Sequence, residues 1–243
     1  MNRLSGRLAE PVKSTGVVKA GRTHRTTGDT VTQTASTAGR TPLAVPTQVA
    51  LAGVFAALIA VCSMLPPIPV GGFGVPITLQ TFAVMLTGLI LGARLGFLSV
   101  ALYVVVGLVG LPVFSGFNAG FGVLAGPSGG YLLAFPFAAA LAGALASAVL
   151  KRGQEAAARR QTGVGRMGFG WWALVWLSAM IGSFVFIHPM GIGGMMLALD
   201  LDLPTAIAAD MVFWPGDVIK NVLATAVAAT VIRAFPALAL RRF

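Results

Sequence analysis

Acidic residues are scarce in this chain, with seven Asp and Glu in 243 residues against 17 Lys and Arg, and charged residues of both signs make up only 10%. A soluble domain carries about 25% charged residues, so a water-soluble globule is a poor fit. Cysteine occurs once, as Cys62, which rules out an intrachain disulfide and leaves core packing as its role. The two histidines, His24 and His188, lie far apart in the sequence and offer no metal cluster. No Walker-type phosphate loop, nucleophile elbow or zinc-protease motif occurs, so no recognised route to ATP hydrolysis is present. Gly120-Phe121-Gly122-Val123-Leu124-Ala125 fits the relaxed dinucleotide pattern, but it follows no strand of a βαβ unit and has no acid about 20 residues on, so the match is coincidental.

What the chain has instead is apolar surface: 56% of its residues are hydrophobic and the mean hydropathy is +0.87. Mostly apolar runs of about 20 residues, long enough to cross a hydrocarbon core, recur after residue 43. Backbone groups in lipid must pair within the chain, so these runs are helices and the fold class is an all-α integral membrane protein. Six spans are expected: Pro46–Leu65, Thr78–Gly92, Arg94–Val109, Gly130–Leu150, Trp171–Ile187 and Pro215–Ala234. Ahead of them, Met1 to Thr41 hold seven Lys/Arg, two acids and no aromatic residue, the composition of a disordered basic tail. The chain thus divides into a tail, 1–41, and a six-helix transmembrane domain, 42–243.

The formal charge of +10 would suggest nucleic acid in a soluble protein, but here the cations flank spans, where they anchor and orient. With six spans, the tail, Arg94, the Lys151–Arg166 connection and Arg233, Arg241 and Arg242 all fall on one face. That face is expected to be cytoplasmic, with both termini on it. The opposite face has Pro66–Ile77, Leu111–Gly129 and His188–Trp214, whose only charges are Asp200, Asp202 and Asp210. Trp171, Trp172 and Trp176 fit anchors at the cytoplasmic edge, with Trp214 near the outer one. The Pro- and Gly-rich but apolar Pro66–Pro76 stretch and the Phe-bearing Gly107–Gly130 stretch suit segments folded back over the protein, either as a lid or as packed connectors. Small residues at Ala52, Ala56 and Ala60, and at Gly88, Gly92 and Gly96, let helices approach closely. No internal repeat is visible, which counts against the inverted-halves design of many secondary transporters.

Chemistry concentrates in Phe213-Trp214-Pro215-Gly216-Asp217-Val218-Ile219-Lys220-Asn221. Pro215 suits the first turn of a helix, and a start there places Asp217 and Lys220 on one face near the outer mouth. Charges in a span cost about 2.5–3.5 kcal/mol each on insertion scales unless paired or facing a cavity, so a ligand site is the default reading beside a plain intrahelical ion pair. An ammonium with the free N–H groups of a helix start attracts a carboxylate, while a carboxylate accepts from N–H donors. Such a pair suits a small solute with an acid tail and an amide-like head. Thr78, Gln80 and Thr81 open the second span and face either a cavity or a neighbouring helix. Tyr131 reads equally as interface anchor or ligand contact, Asn118 as a turn residue or a contact, and His188 as an interfacial histidine at the end of the fifth span.

Four motifs resemble the BioY family, the biotin-binding S components of energy-coupling factor (ECF) importers. They are Val75-Pro76-Ile77-Thr78-Leu79-Gln80-Thr81, Gly107–Phe114, Gly126-Pro127-Ser128-Gly129-Gly130-Tyr131-Leu132 and Pro215-Gly216-Asp217-Val218-Ile219-Lys220, in the family's order across roughly residues 45 to 235. Ser128 stands where the family often has Thr, and Trp214 where a smaller apolar residue is usual. The resemblance implies an S-component-like fold with apolar outer loops capping a pocket for biotin. Lys220 would hold the valerate carboxylate and Asp217 the ureido N–H groups or the order of the polar network. Gln80, Asn118 and Tyr131 would complete the polar shell, with Phe73, Gly74, Val75 and Thr78 near the ring system. It further implies a transmembrane T component and two ABC-type ATPases as partners in the lipid bilayer, with the Ala52/Ala56/Ala60 stripe facing the T component. No cofactor, reaction or nucleic-acid partner follows. Two other functions compete: a stand-alone proton-coupled carrier using Asp217 or Asp210, and an intramembrane enzyme using His188, Asp210 and Asp217.

Overall fold

The computed structural model describes residues 43–70, 72–159 and 168–235; the basic tail, the residues after Arg159 in the Lys151–Arg166 connection, and Arg241 and Arg242 lie outside them. The described chain is helical, with two single antiparallel bridges, Ile68 to Ile77 and Phe114 to Asn118, in its loops. The long helices in order are α1 (Val45–Met64), α2 (Gln80–Leu108), α3 (Gly129–Arg159), α4 (Phe169–Gly182), α5 (His188–Leu199), α6 (Leu203–Met211) and α7 (Trp214–Ala234). A π-helical turn, Ser183–Ile187, joins α4 to α5, and 3₁₀ turns at Ser115–Phe117 and Phe121–Ala125 punctuate the α2–α3 connection.

Among the described residues, five helical runs have the length and hydropathy to cross a membrane: Val45–Met64, Gln80–Leu108, Gly129–Ala157, Phe169–Leu199 and Trp214–Ala234. The expected spans Thr78–Gly92 and Arg94–Val109 together map onto α2, which starts two residues later, ends one earlier and is broken at Gly92 by φ 79° and ψ −172°, a combination open in practice only to glycine. Eight residues of straight helix rise about 12 Å, yet a Cβ added at Gly96 would lie 3.1 Å from Gly88 Cα. The chain therefore turns back sharply at Gly92. A Cβ at Gly143 of α3 would meet the Gly92 carbonyl carbon at 2.6 Å, so the turn is seated against α3 with no room for a side chain.

Small residues make the core possible. Ala134, Ala138, Ala142 and Ala146 form a fully buried stripe along α3, at the i, i+4 spacing that keeps one face. Close backbone approach replaces the hydrophobic drive that apolar surroundings cannot supply. Large apolar side chains such as Val54, Leu98, Leu133, Val185 and Val222 instead point outward, the arrangement of a helix bundle in lipid. Arg233, near the end of α7, stacks over the Trp172 ring at 5.2 Å, which fixes the start of α4 and the end of α7 at one end of the bundle.

Two boundaries differ from expectation for physical reasons. The fifth span does not end at Ile187; the helix continues through His188 and Pro189 to Leu199, and the Leu203–Met211 part of the expected outer loop is helical too. Pro189 is accommodated because the π turn just before it widens the helix where the proline ring would otherwise crowd the preceding turn. Helix α3 runs nine residues past Leu150, through a segment rich in Ala, Lys, Arg, Glu and Gln, all good helix formers. By contrast, α7 begins at Trp214 with Pro215 in its first turn, within a residue of the expected start.

The Gly92 turn generates a prediction. Gly92→Ala forces a side chain into a glycine-only conformation and against α3, and it is expected to cost about 1–3 kcal/mol, read as a lowered thermal unfolding midpoint in detergent. Gly53→Ala on the exposed face of α1, where a Cβ meets nothing within 4 Å, is the control and should leave the midpoint unchanged or slightly raised.

Candidate ligand site

Lys220 follows Asp217 by three residues on α7, so both side chains leave the same helix face one turn apart. The Lys220 ammonium donates to Asp217 Oδ1 at 3.0 Å and to Thr81 Oγ1 at 3.1 Å, and Thr81 in turn donates to the same Asp217 oxygen at 3.1 Å. This triangle ties α7 to the start of α2. Asp217 is buried, Thr81 is half-buried and the Lys220 side chain is 12% exposed, so the lysine retains an opening.

The ammonium opens into a cavity of about 240 Å³. Its walls come from the Pro66–Ile77 loop, through Gly74, Val75 and Pro76; from the α2–α3 connection, through Phe114, Ser115 and Asn118; and from α3, through Tyr131, Leu132 and Phe135. Thr78, Gln80 and Thr81 border it at the start of α2. The cavity is apolar along most of its wall and polar at a few points, the pattern of a small-molecule site. Phe114 closes one side, its ring edge-on to Tyr103 at 5.6 Å and filling the space a side chain at Gly107 would occupy.

Of the residues read from the sequence, Lys220, Asp217, Gln80, Tyr131, Asn118, Thr78, Gly74 and Val75 all line this cavity; Phe73 does not. Their polar groups are partly committed already. Gln80 Nε2 donates to Tyr103 Oη at 2.8 Å, and Thr78 Oγ1 accepts from the Gln80 backbone N–H at 3.3 Å. Asn118 is exposed and donates to the Ser115 carbonyl at 2.7 Å, which is turn geometry. The Ala52, Ala56 and Ala60 stripe is turned largely inward, with Ala56 in the core and the other two half-buried.

Behind Asp217 lies a second carboxylate that the sequence reading placed in an outer loop. Asp210 is fully buried; it accepts from Tyr131 Oη at 2.7 Å and Trp214 Nε1 at 2.8 Å, and pairs with His188 Nδ1 at 2.8 Å. His188 is therefore not an interfacial histidine; it is 3% exposed, and its Nε2 points at Asp217 Oδ2 from 3.6 Å. The separation of seven residues between Asp210 and Asp217 would have placed them on one face had α6 and α7 been read as nearly continuous. A second missed residue, Tyr103, links Gln80 to Ser63 of α1 at 3.1 Å and lies 3.2 Å from the Val113 carbonyl. Its signal was available: the chain has 15 Phe but two Tyr, and a phenol hydroxyl in an apolar span needs a partner. Each tyrosine anchors a hydrogen-bonded cluster beside the cavity, Tyr103 through Gln80 and Tyr131 through Asp210.

A chain so built, with an ammonium and carboxylate under apolar loops in a helix bundle, was compared with known proteins. The family model described as the BioY family matches residues 32–237. The chain belongs to the BioY family. The Biotin transporter BioY of Rhizobium etli is 34% identical over 191 residues, covering 79% of this chain and 96% of that protein. The Biotin transporter BioY of Rhodobacter capsulatus is 35% identical over 205 residues, covering 80% and 97%. Among solved structures, the S-component for biotin from an ECF-type ABC transporter matches with a TM-score of 0.61 at 29% identity, over 76% of this chain and 90% of that one. BioY proteins are transporters and not enzymes, which removes the reading of His188, Asp210 and Asp217 as an acid–base centre for a reaction. This BioY protein is a multi-pass helical membrane protein with the fold of an S component.

The buried Asp210 network yields a stability prediction. Asp210→Ala strips the acceptor from Tyr131 and Trp214 and the partner from His188 Nδ1, and should cost about 3 kcal/mol or more, measured by thermal unfolding in detergent. Asp202→Ala, at an exposed position whose side chain makes no cap bond, should change stability by no more than about 0.5 kcal/mol.

Proposed function

We propose that this protein captures biotin from outside the cell in the 240 Å³ cavity and carries it across the cytoplasmic membrane as the S component of an ECF-type importer. The observation that carries the reading is Lys220: one ammonium, left partly open at the wall of an otherwise apolar cavity. Biotin has the matching polarity, a carboxylate at one end and a ureido group at the other. Lys220 receives the carboxylate by a charge-assisted bond, and Asp217 either accepts from ureido N–H groups or orders the network. Gln80 and Tyr131 complete the polar shell, Asn118 borders the entrance, and Thr78, Gly74 and Val75 shape the wall beside the ring system. Phe73 supports the loop from outside the cavity.

In this reading the chain crosses the membrane six times, the reversal at Gly92 supplying the extra crossing within α2. The apolar loops around Phe114 and Val75 form the cap over the pocket. Both termini face the cytoplasm, where Arg94 and Arg233 satisfy the positive-inside rule, and residues 1–41 form a basic tail there. Because the sequence holds no ATPase motif, energy comes from ABC ATPases coupled through a T component, which we place against α1 along the Ala52/Ala60 edge.

Two measurements test this. Purified protein should bind biotin without ATP, and Lys220→Ala should lose at least about a hundredfold in affinity for biotin but less than about tenfold for the neutral biotin amide. Equal losses for the two ligands would remove Lys220 from the carboxylate role. Vesicles holding this chain alone should not accumulate biotin when a proton gradient is imposed; gradient-driven accumulation would establish the stand-alone carrier instead.

A further inference from the structure

His188 Nε2 is a buried nitrogen with no hydrogen-bond partner among the described residues, and it is aimed at the ligand-facing carboxylate. Its orientation is set from the other side of the ring. Tyr131 and Trp214 both donate to Asp210, and the His188 tautomer that carries its proton on Nδ1 donates to the same carboxylate. That leaves Nε2 as the open position. At 3.6 Å it is too far from Asp217 Oδ2 for a hydrogen bond. The Phe184 ring at 4.4 Å and the Trp214 ring at 6.0 Å flank the imidazole and hold it in line between the two carboxylates.

The charges around this ring do not balance once a ligand arrives. Asp210 on α6 and Asp217 on α7 face His188 directly, Lys220 stands behind Asp217, and Tyr131 on α3 reaches the ring only through Asp210. With a neutral imidazole these groups sum to one negative charge, all of them buried or nearly so. An anionic ligand on Lys220 adds another and draws the ammonium away from Asp217, whose burial then goes uncompensated. Among the described residues, His188 Nε2 is the basic atom besides the Lys220 ammonium that faces Asp217.

We propose that His188 is a positioning residue that takes over the charge compensation of Asp217 when Lys220 turns to the ligand. A proton from solvent adds to His188 Nε2, and the resulting imidazolium donates to Asp217 Oδ2 while Nδ1–H stays on Asp210. Binding of a carboxylate ligand is thereby coupled to uptake of one proton. This rests on biotin as the ligand and on Lys220 as its carboxylate partner.

Calorimetric titration of biotin into the intact detergent-solubilised protein, in buffers of low and high ionisation enthalpy, reads the proton count as the slope of observed heat against buffer enthalpy. The slope should correspond to about one proton taken up per biotin at near-neutral pH. It should vanish with the neutral biotin amide, a control that needs no variant. His188→Gln should flatten the biotin slope and weaken binding about tenfold. A zero slope in the unaltered protein, an equal slope for both ligands, or an unchanged slope in His188→Gln overturns the role of His188. No heat with either ligand, in protein that retains its unfolding transition, overturns the ligand assignment itself.

Discussion

A carboxylate with no access to water must be satisfied by the protein or not ionise at all, and Asp210 is satisfied three times over. Tyr131 reaches it from α3, His188 from the junction of the π turn and α5, and Trp214 from the first residue of α7. Those three bonds fix the mutual placement of helices that otherwise touch through small and apolar side chains, which carry little directional information. The position of α7 matters most, because it carries Asp217 and Lys220. The ligand-facing pair is held in place from behind by a carboxylate that does not line the cavity.

The opposite wall is set by a different constraint, close approach. Gly92 turns α2 back on itself, Gly88 and Gly96 let the two arms meet, and Gly143 admits the turn against α3. Gln80 and Tyr103, on the two arms, are thereby brought within 2.8 Å despite 23 intervening steps along the chain. Tyr103 hydrogen-bonds back to α1 and lies beside the Val113 carbonyl, while the adjacent Phe114 packs into the groove at Gly107. The loops over the cavity are apolar because they are packed on protein, yet they are tied down by these few buried hydroxyl and amide groups.

Much of this was legible from composition and pattern. Hydropathy and the scarcity of charge give a helical membrane protein, Pro215 marks the start of α7, and a Lys three residues after an Asp in a span has few purposes other than a site or a pair. The sequence misled where a local rule was overridden. His188-Pro189 reads as a helix end, but a π turn absorbs the proline and the helix continues, so His188 moves from an expected edge to the interior. Asp210 reads as a loop acid because the helix before Pro215 has only nine residues, too short to announce itself.

The amino-acid sequence by itself determined the class of fold, the family and the Asp217/Lys220 pair, because each depends on composition or on spacing along one helix. Only the tertiary structure decided what surrounds that pair. Thr81, Tyr103, His188 and Asp210 come from segments separated by up to 139 residues from the groups they serve, and their partners are chosen by helix packing rather than by neighbours in the chain. In a bundle held by small residues, hydrogen bonds between distant helices carry the positional information, and no period in the sequence encodes them.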